Sequence, residues 1–344
     1  MLFAWSFIES KVRMLVVLAL VAAPLCLAQK EQAPVADDGA SGMTLHVTVR
    51  ELQVAALVLD MHRKAVTDID RSRFRLRLDN GKPFLPMTVH RAGDDPFSLA
   101  VVMDLSQTHR YQTQLAEALA AARRDLLLPH DRLLLFAADC NLISYRGDTS
   151  TPEGVKAGVE QIQANPSLHS AGNKSRTCAD SMHLWDTSML VLRKLSTAPG
   201  RHAVLLITDG RDIGSMTPML DLARMGTITA TTLFALPSTD MQLLNGAKSP
   251  LEILVTRTGG RILDAPSKNL EKSLADCVEL LRERYILGFN QPQNAKPGDH
   301  MIQAMVQRGG YVILTSGVSA PLSESSGATS TIGQDASTDG PAKP

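Results

Sequence analysis

Surplus charge, cysteine and long apolar runs are all scarce in this chain of 344 residues. Lys plus Arg and Asp plus Glu number 35 each, so no global field draws the protein to nucleic acid or to an anionic membrane. Any partner must therefore be recognised locally. The cysteines, at positions 26, 140, 178 and 277, lack the close spacing of a zinc site. No Gly-x-x-x-x-Gly-Lys-[Ser/Thr] loop is present to cradle nucleotide phosphates, and no Gly-x-Ser-x-Gly elbow to present a nucleophilic serine. The apolar run over residues 14–28 is short against the roughly 20 residues that span a bilayer.

What is there suffices for a globular protein. With 44% hydrophobic and 20% charged residues the chain can bury one large or two modest cores. Lys11 and Arg13 precede the apolar run, which closes on Cys26-Leu27-Ala28 before Gln29, the pattern of a cleaved signal peptide over residues 1–28. Leu25 stands where a lipobox needs a small residue. The mature chain is thus expected in a secreted, periplasmic or cell-envelope location, meeting the membrane only during export. Three cysteines remain after cleavage. Cys140 and Cys178 lie on connections and are the expected disulfide pair, if one forms, in that oxidising compartment. Cys277 sits among Leu274, Val278 and Leu281 at helical spacing and is expected to be buried.

Composition divides the mature chain further. Residues 29–42 read as a linker, and residues 320–344, rich in Ser, Thr, Gly, Ala and Pro, read as a disordered tail. Residues 43–96 alternate in period two and read as a β module, with a hairpin of strands 74–78 and 84–89 about Asp79-Asn80-Gly81-Lys82. There Arg71, Arg73, Arg75 and Arg77 are expected on one solvated strand face. Residues 286–319 return to short strands that can pack on this module. Between them, over residues 97–285, strand patterns (98–103, 132–137, 202–208, 229–235, 261–263) alternate with helical ones (112–127, 152–164, 184–195, 216–225, 251–258, 270–284). Such alternation predicts an α/β fold with a doubly wound, mostly parallel sheet covered on both faces.

In open sheets of this kind ligands bind where strands end and helices begin. Two strand patterns finish in a carboxylate there: one runs into Asp104-Leu105-Ser106-Gln107-Thr108, the other into Ile207-Thr208-Asp209-Gly210. Asp104, Ser106 and Thr108 offer hard oxygens at alternate positions, and Asp209 adds a carboxylate from a second loop, a donor set for Mg²⁺ and alternatively Mn²⁺ or Ca²⁺. Taken one at a time, such aspartates are usually helix caps; their agreement within one α/β pattern argues for a site.

These residues carry a resemblance. Asp104-Leu105-Ser106-Gln107-Thr108 resembles the Asp-x-Ser-x-Ser motif of the metal ion-dependent adhesion site in von Willebrand factor A-type domains, and Ile207-Thr208-Asp209-Gly210 resembles its later acidic loop. The stretches VLDMHRKAVTDIDRSRFRLRLDNGKP, HLWDTSM, RTGGRIL, RERYILGFNQP and GGYVILTSGV are in turn similar to the VWFA-related domain family of Acidobacteria, over residues 44–318. The resemblance implies a non-enzymatic binding protein in which the cation keeps an open position for an acidic residue of a partner protein. Asp104, Ser106, Thr108 and Asp209 would hold the ion. Where the family has a further Thr this chain has Met182, a poor ligand for Mg²⁺, so the remaining hydroxyl falls to Ser181 or Thr177. A site that has lost its metal would leave a structural module of an envelope assembly.

A phosphatase is the enzymatic alternative, because Asp104 to Thr108 also resembles the Asp-x-Asp-x-Thr motif of haloacid dehalogenase-like enzymes. Their second Asp, the proton donor, is Ser106 here, so catalysis is not expected. His109 and His183 flank the site loops as ordinary polar residues, and Met216, Met219 and Met225 at near-helical spacing are expected in the core. The export signal makes one outcome measurable: N-terminal sequencing of protein from its native compartment should begin near Gln29, whereas recovery of Met1 from the soluble cytoplasmic fraction would contradict it.

Overall fold

The computed structural model describes residues 51–79, 81–105, 112–138, 141–164, 183–237, 249–264, 269–290 and 300–319. The segments expected as signal, linker and tail, together with Cys140 and Cys178 and the bridge expected between them, lie outside the described residues. In chain order the described elements are β1 (Glu51–Leu59), a 3-10 turn (Arg71–Arg73), β2 (Phe74–Leu78), β3 (Thr88–Arg91), β4 (Phe97–Asp104), α1 (Gln112–Asp125), β5 (Arg132–Ala138), β6 (Leu142–Ser144), α2 (Pro152–Gln163), α3 (Leu184–Leu195), β7 (Arg201–Thr208), α4 (Met219–Ile228), β8 (Thr231–Pro237), α5 (Pro250–Arg257), α6 (Leu270–Arg282), β9 (Tyr285–Asn290), β10 (Ile302–Val306) and β11 (Val312–Ser319).

One sheet has the order β6-β5-β4-β7-β8. Its β5, β4, β7 and β8 run parallel, and the short β6 closes one edge antiparallel. The apolar runs of β4 and β7 are buried along nearly their whole length, as strands covered on both faces must be. Successive side chains point to opposite faces. Leu99, Val101 and Met103 of β4, with Ala203, Leu205 and Ile207 of β7, join a core with Leu119 of α1, Val159 of α2 and Leu274 of α6. Ala100, Val102, Val204 and Leu206 face the other way, into a second core with Leu192 of α3, Leu222 of α4 and Leu254 of α5. The protein is thus a mixed α/β fold with apolar cores on both faces of a largely parallel sheet.

Helix starts follow local chemistry. Thr151 accepts from Gly154 N–H at α2, Ser249 from Glu252 N–H at α5 and Asn269 from Lys272 N–H at α6, with Pro152 and Pro250 in the first turns where no N–H is needed. Cys277 lies 1% exposed on the buried face of α6, where burial pushes its thiol up to about 12 and leaves it protonated and inert.

The remaining strands make a four-stranded antiparallel sheet, β11-β1-β9-β3, and a ladder of β10 with β2. Between them lies a third core of Val54, Val58, Phe74, Leu76, Leu287 and Phe289. Tyr285 packs against Phe74 with ring centroids 4.9 Å apart and planes tilted by 55°, and its hydroxyl accepts the Ile69 N–H at 2.9 Å.

Three sequence expectations need correction. The hairpin reduces to one bridge, Leu76 with Phe84, because β2 takes β10 as its partner while the returning strand, displaced to Thr88–Arg91, pairs with β9. Arg71 and Arg73 belong to the 3-10 turn, not to a strand face, and their guanidinium groups donate to the carbonyls of Pro86 and Gln307. Met216 is 93% exposed in the loop before α4, which starts at Met219; only Met219 and Met225 pack against a core.

Packing on both faces sets an expected contrast. Leu205→Ala, at a side chain with no exposure, should cost about 2–5 kcal/mol in urea unfolding. Leu220→Ala, at a side chain 52% exposed, should stay within about 0.5 kcal/mol.

Candidate functional site

The ends of β4 and β7 form the candidate site. Met103 lies opposite Ile207 in their parallel ladder, so Asp104 comes level with Thr208 and Asp209 follows at the next position. A hydroxyl joins the two strand ends: Thr208 Oγ1 donates to Asp104 Oδ2 at 2.6 Å and accepts the Gly210 N–H at 2.9 Å. Asp104 and Thr208 are both wholly buried. A charge-assisted bond in such surroundings is stronger than one in water, so it holds the Asp104 carboxylate in a set orientation. Gly210, at φ +81°, turns the chain immediately beyond Asp209 in a conformation that side-chain-bearing residues rarely adopt.

The Asp209 side chain is 7% exposed. Its Oδ1 accepts the Arg211 N–H at 2.9 Å, and its Oδ2 stands 3.3 Å from Arg211 Nε. The guanidinium side of that pair is 68% exposed, so water and salt screen it and the pair contributes little stability.

The loop after β7 also grips the start of α3. Asp212 Oδ1 accepts the Trp185 N–H at 3.1 Å and the Ser215 hydroxyl at 2.6 Å, while Ser215 Oγ accepts the Asp186 N–H at 3.2 Å. In return Asp186 accepts the N–H groups of Met216 at 3.0 Å and Thr217 at 2.8 Å. Burial pushes the Asp186 carboxyl up, but bonds from Thr217 and Met216 outweigh that and hold it below its ordinary value. His183 occupies the cap position of α3 and makes no side-chain capping bond there, so Asp212 does that work from across the loop.

Of the ligands expected from sequence, Asp104 and Asp209 are therefore brought to adjacent strand ends. Ser106, Thr108 and Ser181 lie outside the described residues, as do Met182, Thr177 and His109. Among the described residues no three His, Cys, Asp or Glu side chains converge as a metal-binding group. Sequence reasoning passed over Thr208, Asp212 and Ser215. Thr208 was legible as a hydroxyl one residue before Asp209 at the end of an apolar run; the Asp212–Ser215–Asp186 network depends on a tertiary contact that no local pattern encodes.

No protein family profile and no curated protein matches the chain. Among solved structures it is similar to a von Willebrand factor type A protein from Catenulispora acidiphila, at 12% identity over 79% of this chain and 75% of that one, with a TM-score of 0.37. An aerotolerance-related membrane protein from Bacteroides fragilis is similar at 13% identity over 53% of this chain and 98% of that one, with a TM-score of 0.39. Proximal thread matrix protein 1 from the mussel byssus, with a zinc-occupied MIDAS motif, is similar at 12% identity over 56% and 48%, with a TM-score of 0.37. Superpositions this loose assign the chain to no family.

Proposed function

We propose that this chain is an exported binding protein of the von Willebrand factor A type, doubly wound like Rossmann-type folds, whose β4–β7 edge holds a divalent cation for recognition of an acidic group on a partner protein. The observation that supports it is the placement of Asp104 and Asp209 on adjacent parallel strand ends, with Thr208 orienting the first. Asp104 and Asp209 supply carboxylate oxygens; Ser106, Thr108 and Ser181 would supply hydroxyls. All are hard donors suited to Mg²⁺, Mn²⁺ or Ca²⁺. If each of these five side chains supplies one oxygen, a six-coordinate ion keeps one position open, and a partner carboxylate is a hard oxygen donor that can fill it. Ser106 stands where the phosphatase motif has the second Asp that donates the proton, so the reading is binding without catalysis.

A second reading, a metal-free structural module, is favoured by Arg211, which engages both oxygens of Asp209 and could stand in for a cation. Titration calorimetry of the mature protein with Mg²⁺ and Mn²⁺ separates the two. The metal reading predicts saturable heat at one ion per chain, lost in Asp104→Ala and in the near-isosteric Asp104→Asn, which preserves the shape of the buried side chain. Thr208→Val should weaken binding and also lower stability by about 1–3 kcal/mol, because it takes a buried hydrogen bond from the carboxylate. Wild-type protein that gives no heat with either ion supports the structural module.

A further inference from the structure

The opposite end of β7 carries a different chemistry. Where that strand begins, a cavity of about 70 Å³ is lined by Arg201, Thr229, Thr232, Arg284 and Ser316, with Phe97 as an apolar wall. Phe97, Thr232, Arg284 and Ser316 are buried, while Arg201 and Thr229 are half-buried. Arg284, between α6 and β9, is 1% exposed, an extreme position for a guanidinium. Its Nη2 donates to the Gly259 carbonyl at 2.5 Å, but its Nε and Nη1 are buried without a hydrogen-bond partner. Arg201 donates through Nη1 to the Leu281 carbonyl at 3.0 Å and through Nη2 to the Asp95 carbonyl at 3.2 Å, and its Nε is likewise buried and unpartnered.

Every acceptor of these two guanidinium groups is thus a neutral carbonyl. The neighbouring Arg282 shows the alternative, since it is matched by the buried Asp131 carboxylate at 2.5 Å. Buried charges are normally paired, and buried polar groups normally hydrogen-bonded, because water is lost and must be replaced. The two guanidinium groups lie over the rings of Phe234 and Phe97, at 5.8 and 6.0 Å, but without a bonded carboxylate Arg284 Nε and Nη1 and Arg201 Nε remain unmatched donors. Burial and Arg201 together depress Arg284 to about 9 with no carboxylate acting against them, and burial depresses Arg201 to about 10 even though Asp95 and Asp131 raise it. Size narrows the complement. One water needs roughly 10–15 Å³ of such space, so the cavity suits about five heavy atoms, which is a tetrahedral oxyanion.

We propose that this cavity binds a small tetrahedral oxyanion of the phosphate class, clamped between the guanidinium groups of Arg284 and Arg201. The site is separate from the β4–β7 edge and does not depend on a metal there. Gln53 of β1 and Ser316 of β11 also line it, so the anion would bridge the antiparallel sheet and the parallel one and stabilise the folded chain by mass action.

The test is calorimetric and thermal titration of the full chain with inorganic phosphate, with ionic strength held constant by sodium chloride. Wild-type protein should give saturable heat at one anion per chain and a melting temperature that rises to a plateau. Arg201→Met, at the half-buried position, should weaken the affinity at least tenfold while the chain stays folded. Arg284→Lys should do the same by removing the planar fork while keeping a charge. Absence of wild-type heat overturns the proposal. So does an unsaturating rise in melting temperature shared by wild type and variants, since excluded salts produce that without a site.

Discussion

The parallel register of β4 and β7 is the constraint from which both ends of the five-stranded sheet follow. Met103 opposite Ile207 carries Asp104 and Asp209 to one edge; Phe97 opposite Arg201 carries an arginine and an aromatic ring to the other. A parallel ladder can hold that register only if both faces of both strands are covered, because the crossover helices are what connect them. The two cores supply the cover, and their alternating membership along β4 leaves no freedom to slip: a one-residue shift would exchange Val101 and Val102 between cores built for different neighbours. The Thr208–Asp104 hydrogen bond then locks the strand ends at the point where packing gives way to polar loops.

The consequence is a molecule with opposite chemistry at the two ends of one strand. Oxygen donors gather where β7 ends, and guanidinium groups where it begins. The loop between Asp209 and Thr217 is cross-braced to α3 by Asp186, Asp212 and Ser215, so the oxygen-rich edge stands on a rigid support. Rigid support lowers the cost of ordering ligands on binding. At the arginine-rich end Arg284 is held just as firmly by burial, but its unmatched donors make that burial unfavourable, a cost that a bound anion would offset.

Much of this was legible in the sequence because periodicity reports burial. The runs ending in Asp104 and Thr208 show near-continuous apolar character, as strands buried on two faces must, and α3 and α6 show helical spacing, with Asn269 capping α6. Elements whose identity rests on partners were not legible. β6 is three residues long and exists only because Ala137 offers Ile143 an edge. The turn at Asp79 to Lys82 gave a hairpin signal, yet β2 pairs with β10, more than 200 residues away in sequence, because the third core needs Phe74 and Leu76 there. Arg284 is the clearest such case: it closes the helical pattern of residues 270–284 in the charged stretch Arg282-Glu283-Arg284, and only the tertiary structure buries it.

The central claim, that the β4–β7 edge holds a divalent cation, is tested most directly by a crystal structure of the mature protein grown with Mn²⁺ and measured at the manganese absorption edge. The account predicts an anomalous peak at direct coordination distance, about 2.0–2.6 Å, from an Asp104 carboxylate oxygen or from an ordered water bound to it. A well-ordered edge with Arg211 still paired to Asp209, and no anomalous peak near Asp104, would contradict it.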